Sequence, residues 1–451
     1  MSEESVQGYR SPGDVELLEL KFVTQFGSPI DVTALVDQFS IYQNIFHHYL
    51  EAEFIFYDPS KFLHELPSYK DLKITGGFSG MEMMIVSYRN RSKGDKEKVY
   101  KHAFRLYSVK DRASANNSEV YMISGVSLEA YETFTNTISS TFGSGAGTTT
   151  ESMVKSVFKK YMQSKQIEDL YGGLRKGLKV DIKKELETHE TAGIHKFIIP
   201  ELTVDDTIDF FARESDCKSR VPLFYFYEDS ENFHFKNVNF LVQEEPIEDF
   251  YYSIANVATE NENDIIHDSV SIIKYNVLRQ HDLLENVDAG LYKAQTTSLD
   301  MLKKTYRTSS FDYTANSGKF NRLQERLIPG AVNNDGRIKS LITTRRGHAS
   351  DTLFSSENPL PKRVDSIKDI RASYRRSIFN TAVEVEIPGN PAMKVGKTVN
   401  LNFPVDSMLR EGMEERDKYL SGKYLITKVR QIFSSGEVRT VLECTKDGGI
   451  A

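Results

Sequence analysis

Tryptophan is absent from this 451-residue chain, and cysteine occurs only at Cys217 and Cys444. The missing tryptophan excludes little, because 23 Tyr and 27 Phe supply large side chains that favour strands. Two cysteines so far apart, with no CxxC partner, encode neither a disulfide framework nor a cysteine-built zinc site, and both read as small buried hydrophobes. No apolar run reaches 18 residues, and the opening MSEESVQGYRSPGD has no signal-peptide-like apolar stretch. The expectation is a chain that folds in a cytoplasm, with no membrane segment. A basic surplus is also lacking: 57 Lys and Arg face 64 Asp and Glu, a net charge of −7, which argues against nucleic-acid binding through an overall basic surface.

Catalytic signatures are scarce. Gly396-Lys397-Thr398 ends like a phosphate-binding loop, but that loop needs a glycine five positions earlier, where Pro391 stands, and a helix afterwards. The following Val399, Leu401 and Phe403 alternate with polar residues, so a turn leading into a strand is predicted. Gly143 to Gly147 precedes a helix without the lysine or the buried strand of a phosphate site and reads as a linker. His47 and His48 lack metal-ligand spacing and read as surface or packing histidines. Glu384/Glu386 and Glu244/Glu245 read as solvated or interface carboxylates rather than a glycosidase pair. No catalytic, cofactor-binding or metal-binding residue is assigned, and the chain is expected not to be an enzyme.

What is present is mostly strand pattern. EAEFIFYD, LKITGGFSGMEMMIVSYR, HAFRLYSVKD and EVYMISGVS are short aromatic and β-branched runs between polar clusters. LVDQFSIYQNIFHHYL has helical spacing and predicts a helix or helical turn among them. Ser127 predicts a helix cap, with Ala130, Phe134 and Ile138 on one stripe to about Ser140. GSGAGTTTES predicts a flexible loop, and Thr149 or Thr150 the start of a second helix. Residues 165–196 read as a peripheral segment or insertion. Thr203 and Asp206 form a capping box, and RVPLFYFYEDSENFHFKNVNFLVQ predicts a hairpin. HDSVSIIKYNVL and AGLYKAQTTSLD read as strands, SSENPLPKRVDS as a surface crossing, and IKDIRASYRRSIFN as a helix with a solvated or interface face. From Thr381 to Lys446 the pattern is β, closing on a long hairpin.

The two β regions echo one another. FRLYSVKDRASANNSEVYMISGV and KYLITKVRQIFSSGEVRTVLECT are each a strand, a polar turn and a second strand opening with Glu-Val, at Glu119-Val120 and Glu437-Val438. A further hairpin precedes each pair. The pattern predicts one unit used twice.

The order of these features resembles the baseplate hub proteins of contractile-tailed bacteriophages, related to the hub part of the valine-glycine-repeat spike proteins of type VI secretion. The stretches that carry the likeness are LPSYKDLKITGGFSGMEMMIVSYR, FRLYSVKDR with EVYMISGVSLEAYETFTNTISSTF, IIPELTVDDTIDFFARESD with VPLFYFYEDSENFHFKNV, GLYKAQTTSLDMLKKTYRTSSFDYT, and the C-terminal VEIPGNPAMKVGKTVNLNFP with LSGKYLITKVRQIFSSGEVRTVLECTKDG. The resemblance implies an α+β, β-dominated chain with two similar β-barrel domains joined by a middle α+β region. The boundaries expected are 14–127, 128–375 and 376–447, with the second barrel open to strands from the middle region. It further implies a homotrimer that joins a sixfold tail tube, or a tube-initiator ring, to a threefold central spike. Baseplate wedge proteins would be further neighbours, and genomic DNA would pass through without specific binding. The place implied is the virion tail baseplate, assembled in the host cytoplasm, with no cofactor. Acidic side chains facing the channel are a further expectation. The readings weighed against this one are a cell-wall-degrading tail enzyme and the hub of a non-viral contractile injection system.

Overall fold

Between Thr381 and Pro388, fully buried Val383, Val385 and Ile387 alternate with exposed Glu384 and half-buried Glu386. That period of two is what a strand with one face on a core requires. The same rule builds most of the chain. The computed structural model describes residues 13, 15–24, 29–66, 78, 80, 82–90, 98–115, 118–144, 147–163, 184–218, 221–252, 269–280, 282–288, 290–300, 304–324, 339–342, 364–404, 416–434 and 437–447.

The first strands are β1 Val15–Val23, β2 Ile30–Asp31, β3 Val36–Asn44, β4 Glu51–Asp58, β5 Met83–Asn90, β6 Val99–Ala115 and β7 Ser118–Ser127. The middle of the chain supplies β8 Thr137–Phe142, β9 Leu186–Thr188, β10 Phe197–Thr203, β11 Phe224–Glu228, β12 Phe233–Asn237, β13 Asp249–Tyr251, β14 Lys274–Arg279, β15 Lys293–Asp300, β16 Thr305–Asp312 and β17 Lys339–Ile342. The last are β18 Thr381–Pro388, β19 Thr398–Asn402, β20 Gly422–Ser434 and β21 Glu437–Lys446.

One 13-stranded sheet runs β14-β18-β21-β20-β3-β4-β7-β6-β5-β1-β2, with β19 and β13 branching from β20. Its two ends repeat one another. The six-strand order β3-β4-β7-β6-β5-β1 matches β14-β18-β21-β20-β19-β13 neighbour for neighbour. A bulge falls at the same place in both hairpins, at Tyr107 against β7 and at Thr427 against β21. The copies differ at the last strand: β1 runs antiparallel to β5, whereas β13 runs parallel to β19. The echo seen in the sequence is therefore an echo in topology, and strands 13 and 14 of the C-terminal array come from the middle of the chain.

The arrays are sewn together by β3 and β20, which pair antiparallel from Lys428 opposite Asn44 to Ser434 opposite Gln38. Each array has its own core, one around Phe54, Phe56 and Phe104 and one around Val385, Leu401 and Tyr424. A third core lies under the middle region, where the helices Thr150–Val157 and Val204–Glu214 cover β11 and β12. Three smaller sheets complete the middle: β8 with β10, β9 with β12 and β11, and β17 with β15 and β16.

Several sequence expectations change. LVDQFSIYQNIFHHYL is not helical: residues 36–44 are β3, held between β4 and β20, and that pairing overrides the helix-like spacing. The helix after Ser127 spans only Leu128–Thr135, because β-branched Thr137, Ile138 and Thr141 pair with β10 instead. The run after the β11–β12 hairpin turns into the helix Val238–Leu241, with the Asn237 side chain accepting from the Asn239 amide. Of the segment expected to be peripheral, residues 184–196 are integral, since β9 lies parallel to β12; residues 165–183 lie outside the described residues, as do 355–363 of the expected surface crossing. The helix caps at Thr149 and Thr203 are as predicted. The helix Val364–Ile378 buries Tyr374 and Ile378. Its Arg371 donates to the carbonyls of Pro222, Arg213 and Ser215, so this part of the basic face is bonded to neighbouring backbone.

Gly396 sits at φ 79° in the turn before β19, and a Cβ there would lie 2.2 Å from the Tyr227 hydroxyl. Both the left-handed backbone and the close ring demand glycine. Gly396→Ala is expected to destabilise by roughly 1–3 kcal/mol, read as a lower urea midpoint.

Candidate functional site

A hollow of about 670 Å³ opens beside the N-terminal array. Its floor is strand: Arg105 and Tyr107 of β6, Glu51 of β4 and Val126 of β7. Phe46 to Tyr49, linking β3 to β4, form one wall; Tyr131 and Phe134 of the helix Leu128–Thr135 form another. Arg105 donates to the Gly80 carbonyl at 3.0 Å, with its guanidinium over the Tyr131 ring. Tyr107, Tyr131 and Phe134 are all exposed, an apolar grouping of the kind that marks protein contacts.

At the back of the cleft His48 lies between two carboxylates one helical turn apart, with Nδ1 3.3 Å from Asp205 and Nε2 3.1 Å from Asp209. Tyr49 donates its hydroxyl to Asp205 and has the Thr133 hydroxyl 2.6 Å away. Burial alone would lower the His48 pKa, but hydrogen bonds to both carboxylates outweigh it and hold the imidazolium up to about 9. Burial likewise works against ionised Asp209, and its bond to His48 prevails, keeping it below the usual carboxylate range. This is a charge clamp fixing the helix Val204–Glu214 to the β3–β4 link. Because the folded pKa lies above the ordinary 6.5, its stabilisation is complete below about pH 6.5 and fades as pH rises through about 9. Urea midpoints should fall over that window by an amount worth about 2–3 kcal/mol, and His48→Gln should remove the slope.

Among the described residues, the open strand edges include two in the large sheet. β14 pairs only with β18, and the far half of β6, from Tyr107 onward, pairs only with β7, among the described residues. Ile273, Tyr275 and Leu278 are exposed on or next to the first edge, and Tyr107 on the second. Open apolar edges normally have a partner.

The residues weighed for chemistry do not converge. Lys397 donates to Glu244 at 2.7 Å and Thr398 to the Glu244 carbonyl, so the Gly-Lys-Thr stretch is a turn tied to the loop after the helix Val238–Leu241. Glu386 meets Arg439 at 2.8 Å. Cys217 and Cys444 are buried, and burial pushes the Cys444 thiol up. Among the described residues, no group of three His, Cys, Asp or Glu is arranged to hold a metal ion, and no helix is long and apolar enough to cross a membrane. The sequence reading missed the His48 clamp. Its one local signal was the i, i+4 spacing of Asp205 and Asp209.

The fold that these strands and the middle region define is shared with solved tail proteins. Two solved structures share it over nearly their whole length. One is the tail protein from Neisseria meningitidis MC58, with a TM-score of 0.51 and 10% identity, covering 96% of this chain and 97% of that one. The other is the 43 kDa tail protein of prophage MuSo2 from Shewanella oneidensis, with a TM-score of 0.54 and 8% identity, covering 96% and 99%. No protein-family model matches the chain, and no curated protein matches it in sequence.

Proposed function

We propose that the chain is a structural baseplate hub of a contractile phage tail. Three copies form a ring that joins the sixfold tail tube, or a tube-initiator ring, to a threefold central spike and lines part of the DNA ejection channel. The observation that carries this reading is the strand order repeated at the two ends of one sheet. Each chain then offers two equivalent arrays, so a trimer offers six, and its other face keeps threefold symmetry. Two similar barrels with boundaries near 14–127 and 376–447 are the domain description that goes with this role. The tail-protein fold of the two structural neighbours supports it.

The role is adaptation rather than catalysis, exercised in the virion baseplate. Acidic side chains facing the channel, in a chain of net charge −7, would keep passing DNA from sticking. Light scattering on the purified chain, alone and with a candidate spike, is the test. A mass of three times 51.4 kDa is expected; a chain that stays single in both conditions overturns the proposal.

A further inference from the structure

We propose that the open half of β6 pairs antiparallel with the open β14 of a second copy, Ala113 opposite Asn276, and that Leu283 and Leu284 of that copy fill the His48 cleft. The proposal rests on the trimer reading and specifies how its ring closes.

The template is inside the chain. β20 uses its first half to hold β19 and its second half to hold β3. β6 is the equivalent of β20, and its first half holds β5 in the same way, but on that same edge no described strand pairs with its second half, which is held by β7 alone. β14 is the equivalent of β3, and the edge that β3 gives to β20 is open on β14. One half of each equivalent pair is thus satisfied within the molecule, and among the described residues the other half is not. The burial follows suit: residues 39–41 of β3 are buried, whereas 274–276 of β14 are exposed, as are 110–114 of β6.

The register can be carried across. Stepping through the ladders, Ile41 corresponds to Val277, Ser40 to Asn276 and Phe39 to Tyr275. On the other strand, Arg430 corresponds to Lys110, Ile432 to Ala113 and Phe433 to Ser114. The internal pair Ile432–Ser40 therefore becomes Ala113–Asn276, and Arg430–Tyr42 becomes Lys110–Arg279. Each open strand carries an irregularity that its counterpart at the internal junction lacks at this level: β6 between Lys110 and Ala113, and β14 between Val277 and Arg279. From Lys110 to Ala113 and from Arg279 to Asn276 is the same number of steps. The two extra residues fall opposite one another, and the new ladder runs without a break. A bulge normally disrupts pairing; a matched pair preserves it.

The cleft fits the same template. After β3, Ile45 donates its amide to the carbonyl of Thr427, the bulged residue of β20, and Phe46 packs on Phe379 and Tyr225. Tyr107 corresponds to Thr427, Leu283 to Phe46, and His48 to Phe379. Leu283 and Leu284, the latter 81% exposed, would land beside Tyr107 and His48, where Tyr131 and Phe134 offer an apolar wall.

The test is the full-length Ala113→Cys/Asn276→Cys variant under mild oxidation, with and without the candidate spike, beside light scattering on the unmodified chain. The native cysteines are buried, and both chosen positions are exposed. A covalently closed trimer on a denaturing gel is expected, with at least tenfold less product from Ala113→Cys/Lys274→Cys, which is two residues out of register. Leu284→Glu should raise the concentration for half-assembly at least tenfold. A trimer by light scattering without this crosslink overturns the junction and leaves the hub reading standing. Linked open chains overturn ring closure through this edge. A single chain in every condition overturns both.

Discussion

Lys184→Met is expected to be among the most damaging single changes in the chain, lowering stability by on the order of 3–5 kcal/mol. Glu228 ends β11 with its side chain fully buried; one carboxylate oxygen accepts from the Leu50 amide at 2.8 Å and the other from Lys184 Nζ at 2.7 Å. Lys184 also donates to the Asp229 carbonyl at 3.0 Å. Methionine keeps the volume of the lysine stem and removes the charge, leaving a carboxylate sealed from water with a single amide donor. The pair ties the segment before β9 and the β11–β12 hairpin to the start of β4, so the loss should appear as a lower urea midpoint. Adding Glu228→Gln should recover at least half of it, because the amide oxygen still serves Leu50. Salt should not mimic the effect, since buried pairs are poorly screened.

Phe433→Ala is expected to be comparable, about 3–5 kcal/mol. The ring stacks on Phe39 with centroids 4.4 Å apart and planes 7° from parallel, and lies 4.9 Å from the Tyr88 ring. Phe433 belongs to the C-terminal array by strand and to the N-terminal core by burial. Two residues away, Gln431 accepts from the Tyr88 hydroxyl at 3.1 Å. Truncation leaves a cavity on the seam, so the single denaturation transition should split into two. Phe433→Leu, which fills most of the space, should keep one transition. An unsplit curve for Phe433→Ala would show that β3 and β20 hold without the stack.

Strands facing a single core were legible because their alternation is local: Val383, Val385 and Ile387 could be read directly. β3 was not, since Ser40 and Gln43 are buried alongside Phe39 and Ile41, so its polar residues do not mark an exposed face. β8 was hidden for another reason, its partner β10 being some sixty residues further on. The echo between the hairpins was readable, but not that β13 and β14 complete the second array, because neither pairs with a neighbour in sequence. The cleft was the least legible part. His48 meets Asp205 across 157 residues, and only the helix repeat of Asp205 and Asp209 hinted at a shared partner.

The seam has a consequence for synthesis on the ribosome. Ser40 and Arg430, in contact in the finished sheet, stand 390 residues apart in the chain. At roughly 5–20 residues per second, β3 waits tens of seconds for β20. During that interval the N-terminal array can fold with its β3 edge bare, an aggregation-prone template that the chain itself later covers. Nascent chains stalled before residue 422 should therefore bind chaperones that chains released after residue 447 do not.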